Sequence, residues 1–166
     1  MRVIIALDDY EDIFDDFDIR PYSQRSISID FVEELQRRFN GVECNKPLLV
    51  LTLPKKRRVK KDEKIIKKRL IEFFKAKFKY YKNKLNQTKF KILMFLILGI
   101  ASLALSLYIE HYSMVLSDYL FIGVYFFTWE GLDTFIYSYP KIHKRMNIYK
   151  CISDSTIQFE DEEKYE

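Results

Sequence analysis

Residues 92–109 form a run of 18 positions without one charged side chain, ILMFLILGIASLALSLYI. A helix of that length just crosses the hydrocarbon layer of a bilayer, whereas an uninterrupted apolar stretch in a soluble core rarely exceeds about 10 to 14 residues. The pattern predicts a transmembrane helix. A second apolar run, 119–139, follows a nine-residue connection and has the right length, but Glu130 and Asp133 break it. An acid at the centre of a span costs about 2.5 to 3.5 kcal/mol, and each large aliphatic residue returns about 0.3 to 0.6. The second run is expected to insert by pairing with the first, helped by Tyr119, Tyr137 and Tyr139 as interfacial aromatics, and to end at Pro140.

Upstream, 62–90 lacks Gly and Pro and is rich in Lys, Ile, Phe and Glu, which predicts helix. Its apolar positions Ile66, Leu70, Phe74, Phe78, Tyr81 and Leu85 recur at three and four, one stripe of an amphipathic helix. Nothing between Lys84 and Lys91 breaks it. The two stretches are therefore expected to join into one rod of about 49 residues and about 70 Å, with a hinge at 83–88 as the alternative.

Nearer the start, Asp30 and Glu33 have the spacing of a capping box ahead of a short helix at 31–39, closed by Asn40-Gly41. The run 47–54, PLLVLTLP, is a strand bounded by prolines. Its candidate partners are 3–7 and 155–159, so a small sheet would gather segments far apart in the chain. The fold class expected is mainly α: a membrane helical hairpin whose first helix extends into a long basic helix, with a small α+β cytoplasmic portion. In domain terms this gives an acidic α+β segment at 1–54, a basic amphipathic juxtamembrane helix at 55–91, a two-span hairpin at 92–139 and a C-terminal segment at 140–166.

Charge orients this arrangement. The net charge of +4 hides a partition: residues 1–54 and 160–166 are acidic, while 55–91 carries 17 Lys and Arg against Asp62, Glu63 and Glu72. The connection between the apolar runs has no Lys or Arg, and Lys141, Lys144, Arg145 and Lys150 follow the second. The positive-inside rule puts both termini in the cytoplasm of a multi-pass cell-membrane protein. The start, 1–7, is too short for a signal-peptide core. Cys44 and Cys151 are too few and too distant in sequence for a disulfide framework or a zinc site, and a reducing compartment is expected.

Glu130 and Asp133 are the strongest chemical signal, because ionisable groups within a span are costly and default to function. At a spacing of three they share a helix face. An antiparallel hairpin with Lys91 level with Tyr139 would set Glu130 near Ile100 and Asp133 near Ile97, beside a ridge of Gly99, Ser102 and Ser106 that suits close helix packing; Gly123 is the matching small residue on the second run. The acids could then bond Ser102, pair with Lys89 or Lys91, or line an ion or proton path in an oligomer. An intramembrane aspartyl protease needs two facing aspartates, and one is present. Lys55, Lys56, Arg57, Arg58, Lys60 and Lys61 form a polybasic patch expected to attract anionic lipid headgroups, at about 1 kcal/mol per residue. The interleaving of Phe73, Phe74, Phe78, Tyr80 and Tyr81 with lysines also fits single-stranded nucleic acid, a lesser reading, since an amphipathic helix gives the same pattern. The acidic stretch 8–18 lacks the alternation, central Gly and terminal Glu of a calcium loop, and is expected to lie against the basic helix of this chain or a neighbouring copy. His111 and His143 are isolated. No catalytic residue, metal ligand or cofactor is assigned.

The segments FDIRP (17–21), SISIDFVEEL (26–35), LTLP (51–54) and FIGVYFFTWEGLDTFIY (121–137) resemble an uncharacterised family of small prokaryotic two-span membrane proteins, with an F-D-x-R-P segment and a W-[ER]-x-x-[DE] second span. The resemblance covers most of the chain. It implies the two-span architecture and lends weight to Arg20, Pro21, Trp129 and Asp133; Gly131 occupies the place where related members carry Pro. The function expected is a non-enzymatic, membrane-anchored interaction or assembly module, a homo-oligomer or the partner of another membrane protein. The alternatives are an oligomeric ion or proton channel using Glu130 and Asp133, and a membrane tether for nucleic acid.

Overall fold

The structure is a computed structural model describing residues 2–42 and 44–162. It divides into two compact units: residues 1–80 with 146–166, and residues 81–145. Composition alone would place boundaries at 54, 91 and 139. By packing, residues 55–80, about two-thirds of the basic stretch, and residues 146–166 of the C-terminal segment cluster with the sheet.

In the first unit, β1 (Arg2–Ala6), β2 (Leu48–Leu53) and β3 (Thr156–Asp161) form a sheet in that order. All three segments named from the apolar pattern are strands, but they pair in parallel, Val3 with Leu49 and Leu49 with Ile157. This unit is therefore α/β in character rather than α+β. A parallel pair needs a long crossover between its strands; α1 (Ile29–Phe39) lies in the first connection, and the second runs through every remaining helix. Val3, Ile5, Leu49, Leu51, Ile157 and Phe159 line one face and are buried. Val50 and Thr52, which point the other way, are buried too, so the central strand reads as a continuous apolar run while its neighbours alternate.

The apolar positions of α1, Phe31, Val32, Leu35 and Phe39, are buried along one face. Its N-cap is Ser28, whose side chain makes no capping bond, so the helix starts ahead of Asp30 and the anticipated capping box does not form. Gly41, with φ +88°, takes the left-handed position after the C-cap that glycine adopts without strain.

The helix α2 (Lys60–Glu110) is 51 residues long and unbroken, with no hinge at 83–88. In the first unit its Ile66, Leu70 and Phe74 are fully buried, four residues apart on one face. It is the one helix among the described residues long and apolar enough to cross a membrane. The helix α4 (Tyr139–Ser153) adds Tyr149, Cys151 and Ile152 to the core, with Tyr149 stacked 6.3 Å from Phe74. A disulfide joins Cys44 to Cys151 across a Cα separation of 4.8 Å, although the two were expected to be too distant in sequence to form a disulfide framework. Distance in sequence, here 107 residues, does not measure distance in space: β3 returns beside β2 and brings the end of α4 to the loop before β2, where the Thr156 amide donates to the Pro47 carbonyl.

In the second unit, α2 turns at 111–113 into α3 (Met114–Asp133), which begins five residues before the apolar run starts. Ser113 caps it, accepting from the Leu116 amide. Pro140 does not end this helix. A π-helical turn, Thr134–Ser138, leads directly into α4. Such a turn widens the coil at the place where a proline ring would otherwise meet the carbonyl four residues back.

Candidate functional site

Small residues form the seam between α2 and α3. Ser106 Oγ donates to the Ser117 carbonyl and Ser117 Oγ to the Ser106 carbonyl, each at 3.0 Å, a reciprocal pair that spends both hydroxyls on the opposite backbone. One turn further, Ser102 Oγ donates to the Leu120 carbonyl at 2.8 Å. A Cβ on Gly123 would lie 2.8 Å from that same oxygen, one on Gly99 3.5 Å from Thr128 Oγ1, and one on Gly131 3.5 Å from Phe95 Cβ. The glycines and serines thus admit close helix approach while satisfying polar groups inside the seam.

These contacts set the register about one helical turn away from that expected with Lys91 level with Tyr139. With Gly131 against Phe95, Glu130 and Asp133 fall level with positions nearer the start of the apolar run than Ile100 and Ile97. Ser102 gives its hydrogen to the backbone rather than to Glu130, and Lys91 lies over the Phe95 ring, 5.3 Å from its centre. Among the described residues neither acid makes a hydrogen bond through its carboxyl or an ion pair; Glu130 is half-buried and Asp133 exposed. Trp129, beside them, is exposed. A cavity of about 290 Å³ opens along the seam, lined by Gly99, Leu103, Phe127, Thr128, Gly131 and Phe135 among others, and is almost wholly apolar.

The first unit has a second polar centre, at the carboxyl ends of its parallel strands, where open α/β sheets place their ligand sites. Arg58 follows β2 and bridges three acceptors: Glu63 Oε1 at 2.9 Å, Asp161 Oδ1 at 2.6 Å and the Phe159 carbonyl at 3.0 Å. Tyr10 accepts from the Val59 amide at 2.9 Å and points its hydroxyl at Glu63, 3.4 Å away. The hydrogen bond to Glu63, with that to Asp161, holds the Arg58 guanidinium more firmly protonated than usual, against the opposing effect of burial. Burial raises the Tyr10 phenol above its ordinary value. Arg57 binds the Asp8 carbonyl and the Asp9 carboxylate. Arg57 and Arg58 are thus engaged within the chain, and Arg58 is withdrawn from the polybasic patch. Lys55, Lys56, Lys60 and Lys61 remain exposed.

Most of the acidic stretch folds on itself rather than along the basic helix. Asp12 caps the amides of Asp8 and Asp9. Glu11 pairs with Arg25 and accepts from Tyr22 Oη at 3.0 Å; burial and that bond push the Tyr22 phenol up to about 12. Asp18 takes both arms of Arg20, at 2.8 and 2.7 Å, and the Ser26 amide at 2.7 Å, which holds its carboxyl far below the usual carboxylate range. Pro21 opens the turn that follows, its carbonyl accepting from Gln24 and Arg25. An open cavity of about 340 Å³ is lined by Glu11, Arg20, Tyr22, Arg25 and Asp62 among others, charges of both signs. Among the described residues no three His, Cys, Asp or Glu side chains are grouped to hold a metal ion.

Arg58, Glu63, Tyr10 and Asp161 were not apparent as a cluster in the sequence. The one available signal was Glu63, an acid at a core-facing position inside a strongly basic run. Compared with protein-family models, with curated proteins and with solved structures, the chain matches none of them.

Proposed function

We propose that the chain is a membrane-anchored assembly module: α2 beyond the basic stretch and α3 lie in the cell membrane as two spans, and the α/β unit sits on the cytoplasmic side. The polarity of the hairpin carries this reading. Its outward side chains are large and apolar, with Leu96, Ile100 and Ile122 about 60% exposed, while its hydroxyls are turned inward onto the seam. That distribution suits a hydrocarbon solvent, in which unsatisfied polar groups are costly and apolar ones are not. The lysines before the first span and after the second support cytoplasmic termini, and the same resemblance to small two-span proteins agrees with them. Glu130 and Asp133, which the hairpin does not satisfy, call for a partner outside the chain, either a second copy or another membrane protein.

Topology is tested by thiol labelling of intact cells carrying Ser113→Cys. Position 113 is expected to react with an impermeant reagent from outside. Cys44 and Cys151, on the reducing side, should react only in opened cells, and the reverse pattern overturns the orientation. Assembly is tested with Glu130→Gln and Asp133→Asn: the native mass in mild detergent should fall for either variant. If both keep their mass but abolish an ion flux into liposomes, the oligomeric channel replaces the assembly module; its support is the same pair of unsatisfied acids. A nucleic-acid tether would instead show salt-sensitive binding of single strands.

A further inference from the structure

We infer that the loop between Phe14 and Ile27 docks onto the basic face of α2 in a second copy of this chain. The inference rests on the assembly reading and names its partner. The loop is closed at its base by an antiparallel bridge between Phe14 and Ile27, with the Asp15 amide bonded to the Ser26 carbonyl and the Ser28 amide to the Ile13 carbonyl. Inside, Asp18 receives Arg20 and the Ser26 amide, and Asp15 Oδ1 accepts from the Phe17 amide at 3.0 Å. The backbone is held from within, so docking requires little further ordering. At its tip, Phe17 and Ile19 are each 96% exposed. A tied loop that presents two bare apolar side chains, one on each side of its central aspartate, has the form of an anchor rather than of a spacer.

Charge selects the occupant. Asp9, Glu11 and Asp18 are neutralised by Arg57, Arg25 and Arg20, but Asp15 and Asp16, beside Phe17, face no cation among the described residues. Such a rim repels anionic headgroups, so a lipid surface is disfavoured. The chain itself carries the complement. On α2, Lys61, Lys64, Lys68, Lys75 and Lys79 fall within one narrow stripe at 100° per residue, opposite the buried Ile66, Leu70 and Phe74, and all five are exposed. Lys64, Lys75 and Lys79 have no acidic partner among the described residues, whereas Lys68 approaches Glu72 at 4.0 Å. Half-buried Ile71 and Phe78, seven residues apart, border the stripe and offer apolar ground for Phe17 and Ile19. In a two-fold dimer each loop would meet the other copy's α2, a self-complementary contact. Confinement of both copies to one bilayer raises their effective concentration, so a modest contact area suffices.

The test uses the full chain in membranes, with a photoreactive phenylalanine analogue at position 17. The expected adduct has twice the chain's mass and maps to residues 61–79. Carrying D15N, which keeps the Oδ1 acceptor for the Phe17 amide, and D16K in one copy, or K64E, K75E and K79E in another, should lower the adduct yield about tenfold. Co-expressing the two variants should recover much of it, since both contacts of the mixed pair then meet opposite charge, one of them the native contact; Asp16 and the three lysines are exposed, so their replacement leaves the fold intact. Adducts to lipid, to another protein or to a different part of the chain, in an assembly that still holds two or more copies, overturn the inference and leave the assembly reading in place. A wild-type chain that is a single copy without any partner overturns both.

Discussion

Arg58→Ala is expected to destabilise the sheet-bearing unit by about 3 kcal/mol, the largest loss from any single truncation of a polar side chain in it. Glu63 has a side chain only 9% exposed, and Arg58 supplies its ion pair; Asp161 and the Phe159 carbonyl depend on the same guanidinium. Truncating one partner of a buried pair leaves an uncompensated charge at a cost of about 3 to 5 kcal/mol. The lower end applies because the Arg58 side chain remains 22% exposed and water enters the space it leaves. Tyr10, whose hydroxyl lies 3.4 Å from Glu63, cannot replace a cation. The measurement is hydrogen exchange of the β2 and β3 amides in the full chain, where protection should fall by about two orders of magnitude. Replacing both charges, as Arg58→Met with Glu63→Leu, should restore most of it, because a well-packed apolar pair often equals a buried ion pair. A loss below about 1 kcal/mol for Arg58→Ala would mean that the bridge behaves as a surface pair.

What the sequence disclosed and what it concealed follow from the physics of each element. The strand at Leu48–Leu53 was legible because prolines bound a run of aliphatic residues, and α2 because nothing in it breaks a helix. Strand direction was not legible: alternation of apolar residues records which face is buried, and a parallel neighbour imposes the same alternation as an antiparallel one. The passage through Pro140 was hidden for a different reason. Proline's usual consequence is a helix end, and the π-turn at Thr134–Ser138 that evades it leaves no mark in composition. The hairpin's small residues, Gly99, Ser102, Ser106 and Gly123, stand out in an apolar run, but their mating was misjudged by a turn because aligning the charged ends of two segments ignores where the small side chains interlock. Glu130 and Asp133 were conspicuous as charges. Their lack of a partner among the described residues depended on that register and emerged only with it. The Arg58 centre was obscured by the abundance of lysine around it, since one arginine among 17 basic residues carries no label saying that it faces inward.

Gly123 offers the sharpest measure of the seam. Gly123→Ala is expected to cost about 1 to 3 kcal/mol of hairpin stability, the range for overpacking a well-filled contact, whereas Gly99→Ala should be neutral or gain up to about 1 kcal/mol. Both replace a glycine in a helix with a better helix former, so propensity alone predicts a gain at each. The seam reverses this at one position only. A Cβ on Gly99 meets its nearest neighbour at 3.5 Å, ordinary contact, while one on Gly123 meets Ser102 Oγ at 2.8 Å. That oxygen is held by its hydrogen bond to the Leu120 carbonyl, so relief requires either breaking the bond or parting the helices near the reciprocal Ser106 and Ser117 pair. The chain's one tryptophan, Trp129 on α3, reports hairpin opening by fluorescence during denaturation in mixed detergent micelles. The decisive variant is Ser102→Ala combined with Gly123→Ala. Removing the hydroxyl leaves Ser102 Cβ as the neighbour, at 3.9 Å, and forfeits only the hydrogen bond, about 0.6 kcal/mol inside a helical bundle. The double variant should therefore be more stable than Gly123→Ala alone, and a double variant no better than the single would show that the close approach at Ser102 is not what fixes the glycine.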